Sequence, residues 1–268
     1  MTMLADVWRK TLFDQRRALV GWVGSIVLVV LLYAAIWPSL RDQPSMSDFL
    51  DQMPEAFRSL FATAGADMST PTGYIQIELM SFMAPALLII YAVGQGSSAV
   101  AGEEDRHSID LLLGAPVSRT RVLLDKALAL VIGTVLLVVV TGVALVLEGA
   151  AFDLHLPVSG VVAAMAHLAA LALVFGGVAL AVGAGTGHAG LARGTAAGLV
   201  VVAYLVNGLG SMVDWLEPLQ RYSPFYQYAA HDPLRTGISY PALGVALATF
   251  VLLVAVAVWG FRRRDVRG

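Results

Sequence analysis

The sequence predicts an all-α polytopic membrane protein with six transmembrane helices, and three observations support this fold class. Of 268 residues, 58% are hydrophobic and only 13% are charged, with a mean hydropathy of +0.76, whereas about 25% of the residues in soluble domains are charged. Six stretches of at least 20 residues lack Asp, Glu, Lys and Arg, and about 20 apolar residues can cross a bilayer. The basic residues cluster between these stretches. A cytosolic enzyme is excluded, because too few polar side chains remain to cover a water-facing surface.

The distribution of basic residues indicates how many spans there are and how they are oriented. The uncharged stretch 154–192 has room for one long helix or two short ones. With six spans, 13 of the 17 basic residues lie on the side of both termini, and the other side receives Arg41, Arg58, Arg221 and Arg235. A seventh span would separate the C-terminal arginines from the N-terminal ones. Since Lys and Arg are retained in the cytoplasm, we predict a multi-pass protein of the cell (plasma) membrane with both termini cytoplasmic.

The six spans are predicted to form a single transmembrane domain that covers residues 1–268. Their predicted bounds are 18–40, 76–101, 123–147, 158–184, 190–211 and 241–261. Pro85 falls within the second span, where it cannot donate a backbone hydrogen bond and is expected to kink the helix.

Small residues recur every four positions on the second and fourth spans. Such spacing leaves a smooth stripe on one helix face, along which another backbone can approach closely. We predict helix packing, within the chain or in a dimer, in preference to a pore lining. The two stripes are Gly94, Ser98 and Gly102, and Gly177, Ala181 and Gly185.

A basic amphipathic helix is predicted ahead of the first span, within residues 3–17. Its apolar residues at helical spacing are Leu4, Trp8 and Leu12, and the basic residues beside them include Arg9 and Lys10. Helices of this kind commonly lie on the anionic inner leaflet, so membrane lipid is a predicted partner.

A second cytoplasmic helix is predicted between the second and third spans. It begins with the acidic residues Glu103, Glu104 and Asp105, which suit a helix N-terminus. An apolar stripe of Ile109, Leu112 and Leu113 follows. Gly114 and Pro116 end this helix, and Ser118 is placed to cap the next one. Because anionic headgroups repel acidic residues, we interpret this helix as a docking surface for a protein.

The same loop carries a recognisable order of motifs. A Gly-Glu-Glu stretch, three leucines, a Pro-x-Ser-Arg motif and a lysine stand at Gly102–Glu104, Leu111–Leu113, Pro116–Arg119 and Lys126. This order resembles the permease subunits of type-2 ABC (ATP-binding cassette) exporters, although Ser108 stands where a Gly-Thr pair is more usual. The resemblance extends to Met53–Phe57, Tyr222–Phe225 and Phe261–Asp265, and so covers nearly the whole chain.

The resemblance implies how such a protein works. Two six-span halves, either two copies or a copy and a paralogue, form a dimer, and each half docks a separate cytoplasmic ABC ATPase. ATP-driven closure of the ATPases then moves the spans between inward-open and outward-open states. Docking uses the N-terminal helix and the loop after the second span. The implied docking residues in the loop are Glu103, Glu104, Asp105, Ser108, Ile109, Leu112, Leu113, Pro116 and Arg119.

The chain is predicted to be a transport subunit and not an enzyme. It contains no Gly-x-x-x-x-Gly-Lys-[Ser/Thr] phosphate loop, and neither of its two lysines, Lys10 and Lys126, follows such a loop. ATP and magnesium are therefore expected in the partner ATPase, with no cofactor in this chain. There is no cysteine and no His-Glu-x-x-His motif, so we predict no metal site and no catalytic residue. Nothing points to a nucleic-acid partner.

The substrate path is expected along the second and fifth spans, which the resemblance implies as its walls. Candidate residues there are Phe82, Met83, Tyr91, Tyr204 and Asn207. Nearly uncharged spans suit a hydrophobic or amphipathic substrate, such as a drug, an antibiotic or a lipid. The same side chains equally fit lipid-facing or packing positions.

An ion-coupled secondary transporter or an uncoupled membrane scaffold is the alternative function. A secondary transporter is expected to show internal repeats and charged residues near the midplane of the membrane, and neither is evident. His167 lies within the fourth span. A neutral histidine that is satisfied by a neighbouring carbonyl is favoured there over a proton relay or a ligand.

Overall fold

The computed structural model describes residues 7–41, 68–104, 118–210 and 212–264. Among these residues, six helices are long and apolar enough to cross a membrane, and no strand is present. The six spans, first to sixth, are Val7–Leu40, Pro71–Ser98, Arg119–Ala151, Val158–Thr186, Ala189–Leu209 and Tyr240–Arg263. Short helices lie between them at Ala101–Glu104, Glu217–Gln220, Pro224–Ala229 and Pro233–Thr236. The predicted all-α fold with six spans is confirmed.

Both ends of the described chain lie at the same end of the helix bundle. The backbone N–H of Val7 donates to Oδ2 of Asp125 (3.1 Å), and Nη1 of Arg119 donates to the carbonyl oxygen of Arg264 (2.7 Å). We call this the terminal end. As predicted, Ser118 caps the third span here, since its hydroxyl accepts a hydrogen bond from the N–H of Arg121. The opposite end carries the short helices between the fifth and sixth spans.

The first span begins earlier than predicted. The helix continues without a break from Val7, so the residues expected to form a separate interfacial helix are its first turns. No glycine or proline occurs between Val7 and Val20 to end a helix near residue 17. Its 34 residues span about 51 Å, which exceeds the roughly 30 Å of a hydrocarbon core. The first turns therefore extend beyond the membrane.

The side chains of these first turns divide between two environments. Trp8 and Leu12 are half-buried, whereas Arg9 and Lys10 are exposed. This division agrees with the predicted amphipathic pattern. Leu4 lies outside the described residues.

The fourth span forms the centre of the bundle. In the most apolar stretch of the fourth span, 78% of the residues are buried, whereas in that of the fifth span 17% are buried. The second and sixth spans pack most extensively against it, followed by the third and fifth. A central helix surrounded by others needs small side chains, because in a bilayer helices associate mainly through close packing.

Gly96 and Gly176 bring the second and fourth spans into close contact. A Cβ atom on Gly96 would overlap the carbonyl oxygen of Gly176, whereas one on Gly94 would meet nothing within 4 Å. The stripe predicted through Gly94 therefore takes no part in this contact, and its packing in a dimer stays a prediction. Two residues correspond to about 200° around a helix, so Gly94 and Gly96 lie on opposite faces, and the sequence pattern alone did not distinguish them.

The small residues of the fourth span do mark a packing face, as predicted. A Cβ atom on Gly177 would lie 3.0 Å from the ring of Phe250 in the sixth span, and one on Gly260 would lie 3.2 Å from Cα of Gly185. The sixth span is thus held close to the fourth along this stripe.

The second span contains an eight-residue π-helix, Gln76–Met83, which ends two residues before Pro85. In this stretch the N–H of Ala84 donates to the carbonyl of Leu79, five residues earlier. In the same five-residue pattern, the N–H of residue 85 would donate to the carbonyl of Met80. Pro85 has no N–H, so this carbonyl receives no such hydrogen bond. The phenol of Tyr228 donates to it instead (2.8 Å). Burial raises the pKa of Tyr228, which keeps this donor protonated. The π-helix and the helix Pro224–Ala229 are thereby joined.

We expect Gly96→Ala to destabilise the protein. The added methyl group would collide with the backbone of Gly176, and overpacking of this kind costs about 1–3 kcal/mol. The matched control is Gly94→Ala, where the methyl group has open space and alanine favours the helix. Melting temperatures of the detergent-purified variants test this, and equal values for the two variants would contradict the packing described here.

A double-mutant cycle tests the bond between Tyr228 and Met80. Tyr228→Phe leaves the buried carbonyl of Met80 without a donor, at a cost of about 1–3 kcal/mol. In Pro85→Ala the backbone regains an N–H that can reach this carbonyl. We therefore expect the double variant to melt at a higher temperature than the sum of the two single effects predicts. Strictly additive effects would show that the two groups do not share the carbonyl.

Candidate transport groove and terminal-end ion pairs

A groove of about 270 Å³ lies between the second and fifth spans. Pro85, Ala86 and Ile89 line it on the second span, and Val200, Val201 and Leu205 line it on the fifth. The spacing of three and four residues places each set on one helix face. Within the described chain, the surface of the groove is almost wholly apolar.

Three aromatic rings pack in sequence at this groove. The ring of Tyr204 lies 6.0 Å from that of Phe82 and 5.3 Å from that of Phe225, both in edge-to-face geometry. Phe225 packs in turn on Phe175 of the fourth span, 5.7 Å away. Edge-to-face contacts orient the rings, so the groove has one rigid aromatic wall. This wall can bind apolar and aromatic groups.

The structure places two of the five predicted path residues on the groove and three elsewhere. Phe82 and Tyr204 line it. Tyr91 does not line the groove, because it is buried between the ring of Trp22, 5.8 Å away, and Gly133, against which its hydroxyl packs. It lies on the other face of the second span, two residues from the groove-lining Ile89.

Met83 and Asn207 do not line the groove either. Met83 is half-buried and packs against the core. Asn207 accepts a hydrogen bond at its backbone oxygen from the amide of Gln220 (2.7 Å), which attaches the helix Glu217–Gln220 to the fifth span.

Sequence reasoning missed several groove residues. Ala86 and Ile89 follow Phe82 by four and seven positions, and Val200 and Val201 precede Tyr204 by four and three. Helical spacing from the two aromatic residues could have identified them. Phe225 comes from a different segment of the chain, and no local pattern signals its position.

Two buried ion pairs close the terminal end of the bundle. Glu104 is 5% exposed, and the guanidinium of Arg264 binds both of its carboxylate oxygens, with Nη1 donating to Oε2 at 2.8 Å. Glu103 pairs with Lys126, which is also 5% exposed. Each pair joins the end of the second span to another span, since Arg264 follows the sixth and Lys126 belongs to the third.

The turn between the fourth and fifth spans packs closely against the ion pair of Glu104 and Arg264. Gly187 has a φ of +73°, which favours glycine, and a Cβ atom there would collide with Arg264 and Glu104. Nε of Arg264 also donates to the carbonyl of Ala184 (3.3 Å). The turn between the fourth and fifth spans thus forms one wall of this ion pair.

These pairs involve two of the predicted docking residues, whose contact with a partner stays a prediction. Glu103 and Glu104 were expected to present an acidic surface to a partner protein, but their carboxylates are engaged in ion pairs within the chain. Arg119 likewise donates to the carbonyl of Arg264. Buried charges require partners inside the protein, and the sequence pattern did not reveal them. The remaining predicted docking residues of this loop, Asp105, Ser108, Ile109, Leu112, Leu113 and Pro116, lie outside the described residues.

His167 uses both ring nitrogens within the bundle. The N–H of Ser239 can only donate, so Nε2 of His167 accepts this bond (3.2 Å). Nδ1 therefore carries the proton and donates to the carbonyl of Gln227 (3.2 Å). This confirms the interpretation of His167 as a histidine satisfied by a neighbouring carbonyl. The two hydrogen bonds of His167 connect the helix Pro224–Ala229 and the start of the sixth span to the fourth span.

The family described as "Multidrug efflux system permease Rv1217c, C-terminal domain" matches residues 7–262. The match covers the first five spans, the sixth span except its last residue, the groove, and all but the last residue of the ion pairs. No curated protein gives a significant match to the chain.

The bonds of His167 predict different effects for two substitutions. His167→Leu removes a donor and an acceptor, and the unpaired backbone groups cost about 1–3 kcal/mol each. The amide of His167→Gln can both donate and accept, so we expect it to recover most of the lost melting temperature. A proton relay would instead require the imidazole, and the loss of transport in His167→Gln at unchanged stability would contradict the structural role.

Proposed function

The chain belongs to the family of the multidrug efflux system permease Rv1217c, C-terminal domain, and we propose that it is one half of an ATP-driven exporter. In this proposal the chain acts as a single transmembrane domain that moves a substrate out of the cell. It is a multi-pass membrane protein, and the proposal places both termini in the cytoplasm of the cell membrane. The resemblance to type-2 ABC exporter permeases supports the same class.

The groove between the second and fifth spans is the observation that carries the proposal. It lies on the spans that the resemblance implies as walls of the path, and it combines an apolar lining with fixed aromatic rings. Pockets of this kind bind hydrophobic ligands. The proposed substrate is a hydrophobic or amphipathic compound, such as a drug, an antibiotic or a lipid.

A second permease, either another copy or a paralogue, is proposed to cover this groove. The fifth span is among the least buried, and Ile90 and Val201 at the groove are largely exposed. Two halves that meet across their grooves would enclose one path between them. Alternate opening of this path to the two sides would then move the substrate.

The energy is proposed to come from a separate cytoplasmic ATPase, which binds ATP and magnesium. The first turns of the first span extend beyond the membrane and expose Arg9 and Lys10, with the guanidinium of Arg9 5.1 Å from the ring centre of Trp8. This surface and the loop after the second span are the proposed contacts with the ATPase. The absence of a phosphate loop from the sequence supports a separate energy source.

Filling the groove tests the proposed path. Ala86→Trp places a bulky ring between the second and fifth spans, and we expect it to lower ATP-driven efflux more than tenfold in proteoliposomes that also contain the partner ATPase. The matched control is Ala166→Trp, which fills the apolar groove of about 560 Å³ between the third and fourth spans. We expect its efflux to stay within twofold of the unmodified protein.

Two outcomes of this assay would overturn the proposal. Equal loss in Ala86→Trp and Ala166→Trp would assign no special role to the groove. Efflux driven by a proton gradient in vesicles without any ATPase would favour the alternative, an ion-coupled secondary transporter.

A further inference from the structure

Arg193 joins the fifth span to the second near the terminal end of the bundle. Its Nε donates to the hydroxyl of Ser97 (3.1 Å) and its Nη2 to that of Ser98 (3.1 Å), at the end of the second span. The buried hydroxyl of Ser97 donates in turn to the carbonyl of Gly94 (3.0 Å), which orients its oxygen as an acceptor for the arginine. The guanidinium is therefore fixed across the seam between these two spans.

This contact continues the two helix faces that line the groove. Seven residues make nearly two whole turns of an α-helix and advance about 10 Å along its axis. Arg193 precedes the groove-lining Val200 by seven residues, and Ser97 follows the groove-lining Ile90 by seven. Arg193 and the groove thus lie along the same seam, with the charge toward the terminal end and the apolar lining farther along the spans.

No carboxylate neutralises Arg193 within the described chain. At the same end of the bundle, each of the two buried ion pairs contains its own carboxylate. Arg193 is exposed, and its hydrogen-bond partners among the described residues are the two serine hydroxyls. These neutral groups leave its charge uncompensated. A planar guanidinium can bind a carboxylate or a phosphate through two parallel hydrogen bonds, which are about twice as strong as those between neutral groups.

We propose that Arg193 is a specificity-determining residue that binds the anionic group of an amphipathic substrate, while the apolar part of that substrate lies in the groove. The inference deepens the proposed function and rests on it, because it names the substrate class of the same path. Such a substrate carries a carboxylate or a phosphate about 10 Å from its apolar body. The same charge repels a cationic amphiphile, so it selects between compounds with equal apolar parts.

The location of the groove favours a substrate over a phospholipid headgroup as the source of the anion. Anionic headgroups offer the same chemistry at a membrane surface, and for them any exposed arginine is sufficient. Here the guanidinium is held by two hydroxyls on the seam that leads to the aromatic rings of Phe82 and Tyr204. A ligand that occupies both the cation and the groove fits this arrangement best.

Three probes that differ only in their polar end test the site. Each carries a pyrene ring on the same dodecyl chain, and they end in a carboxylate, a carboxamide or a trimethylammonium group. Binding to the full chain in phosphatidylcholine nanodiscs is measured by energy transfer from tryptophan to pyrene, with empty nanodiscs as the reference. We expect the unmodified protein to bind the carboxylate about tenfold more tightly than the carboxamide and the ammonium least tightly.

Substitutions of Arg193 assign this preference to its charge. We expect Arg193→Gln to weaken binding of the carboxylate about tenfold and to keep that of the carboxamide within about twofold. Arg193→Glu should favour the ammonium instead. The control Arg263→Gln removes an exposed arginine that stacks on Trp259, and it should change none of the three affinities. A merely structural role for the contact with the serines would weaken all three probes equally, and that result would overturn the proposal.

Two further comparisons identify what is bound and where. Ala86→Trp fills the groove, so we expect it to weaken all three probes, and unchanged binding of the carboxylate would contradict the inference. Nanodiscs that contain phosphatidylglycerol test the other source of an anion. If Arg193→Gln loses bound phosphatidylglycerol, counted by native mass spectrometry, and still binds the carboxylate probe as tightly, the ligand is a lipid headgroup and the proposal is overturned.

Failure of this site can be distinguished from failure of the proposed function. Binding is measured without an ATPase, so it still decides the role of Arg193 if proteoliposomes with the partner ATPase export no probe on addition of ATP. That result would contradict the proposed function. ATP-driven export with equal affinities for the three probes would leave the proposed function standing and overturn the site. If Arg193→Gln does not fold, the unmodified protein decides, because a carboxylate that binds no more tightly than the carboxamide also overturns the site.

Discussion

The close packing of the second span on the fourth, where Gly96 meets Gly176, is the constraint on which the rest of the bundle depends. In a bilayer there is little hydrophobic force between helices, so contact without side chains in between is what holds two spans together. This contact makes the fourth span the centre. The third and sixth spans then pack beside it, and the outer face of the second span is left for the fifth. The groove between the second and fifth spans follows from this arrangement.

Polar groups fasten the bundle at both ends, because hydrocarbon offers them no other partner. At the opposite end, Tyr228 satisfies the carbonyl that Pro85 leaves without a donor, and His167 satisfies two further backbone groups. At the terminal end, the pairs of Glu103 and Glu104 connect the second span to the third and sixth. The middle of the bundle is held by apolar packing, and the buried ion pairs of the described residues lie at the terminal end.

The sequence predicted the spans well and the contacts between them less well. Charge-free stretches located all six helices, because the bilayer imposes a minimum apolar length. Which face of a helix packs depends on residues far away in the chain, so the sequence pattern identified neither Gly96 as the glycine that meets Gly176 nor the burial of Tyr91 against Trp22. The ion pairs of Glu103 and Glu104 were not predicted, since a local pattern cannot show that Lys126 and Arg264 reach them. Ser118, whose cap is a local interaction, was predicted correctly.

Disulfide cross-linking in native membranes tests most directly whether the groove faces a second permease. The chain has no cysteine of its own, so single substitutions report on one position each. We expect Ile90→Cys and Val201→Cys, at the groove, to form cross-linked dimers whose yield changes when the ATPase binds ATP. The control positions Val139 and Val162 are also exposed but lie at the groove between the third and fourth spans, and cysteine there should remain monomeric. Cross-linking at the control positions and none at Ile90 or Val201 would contradict a path formed between two halves.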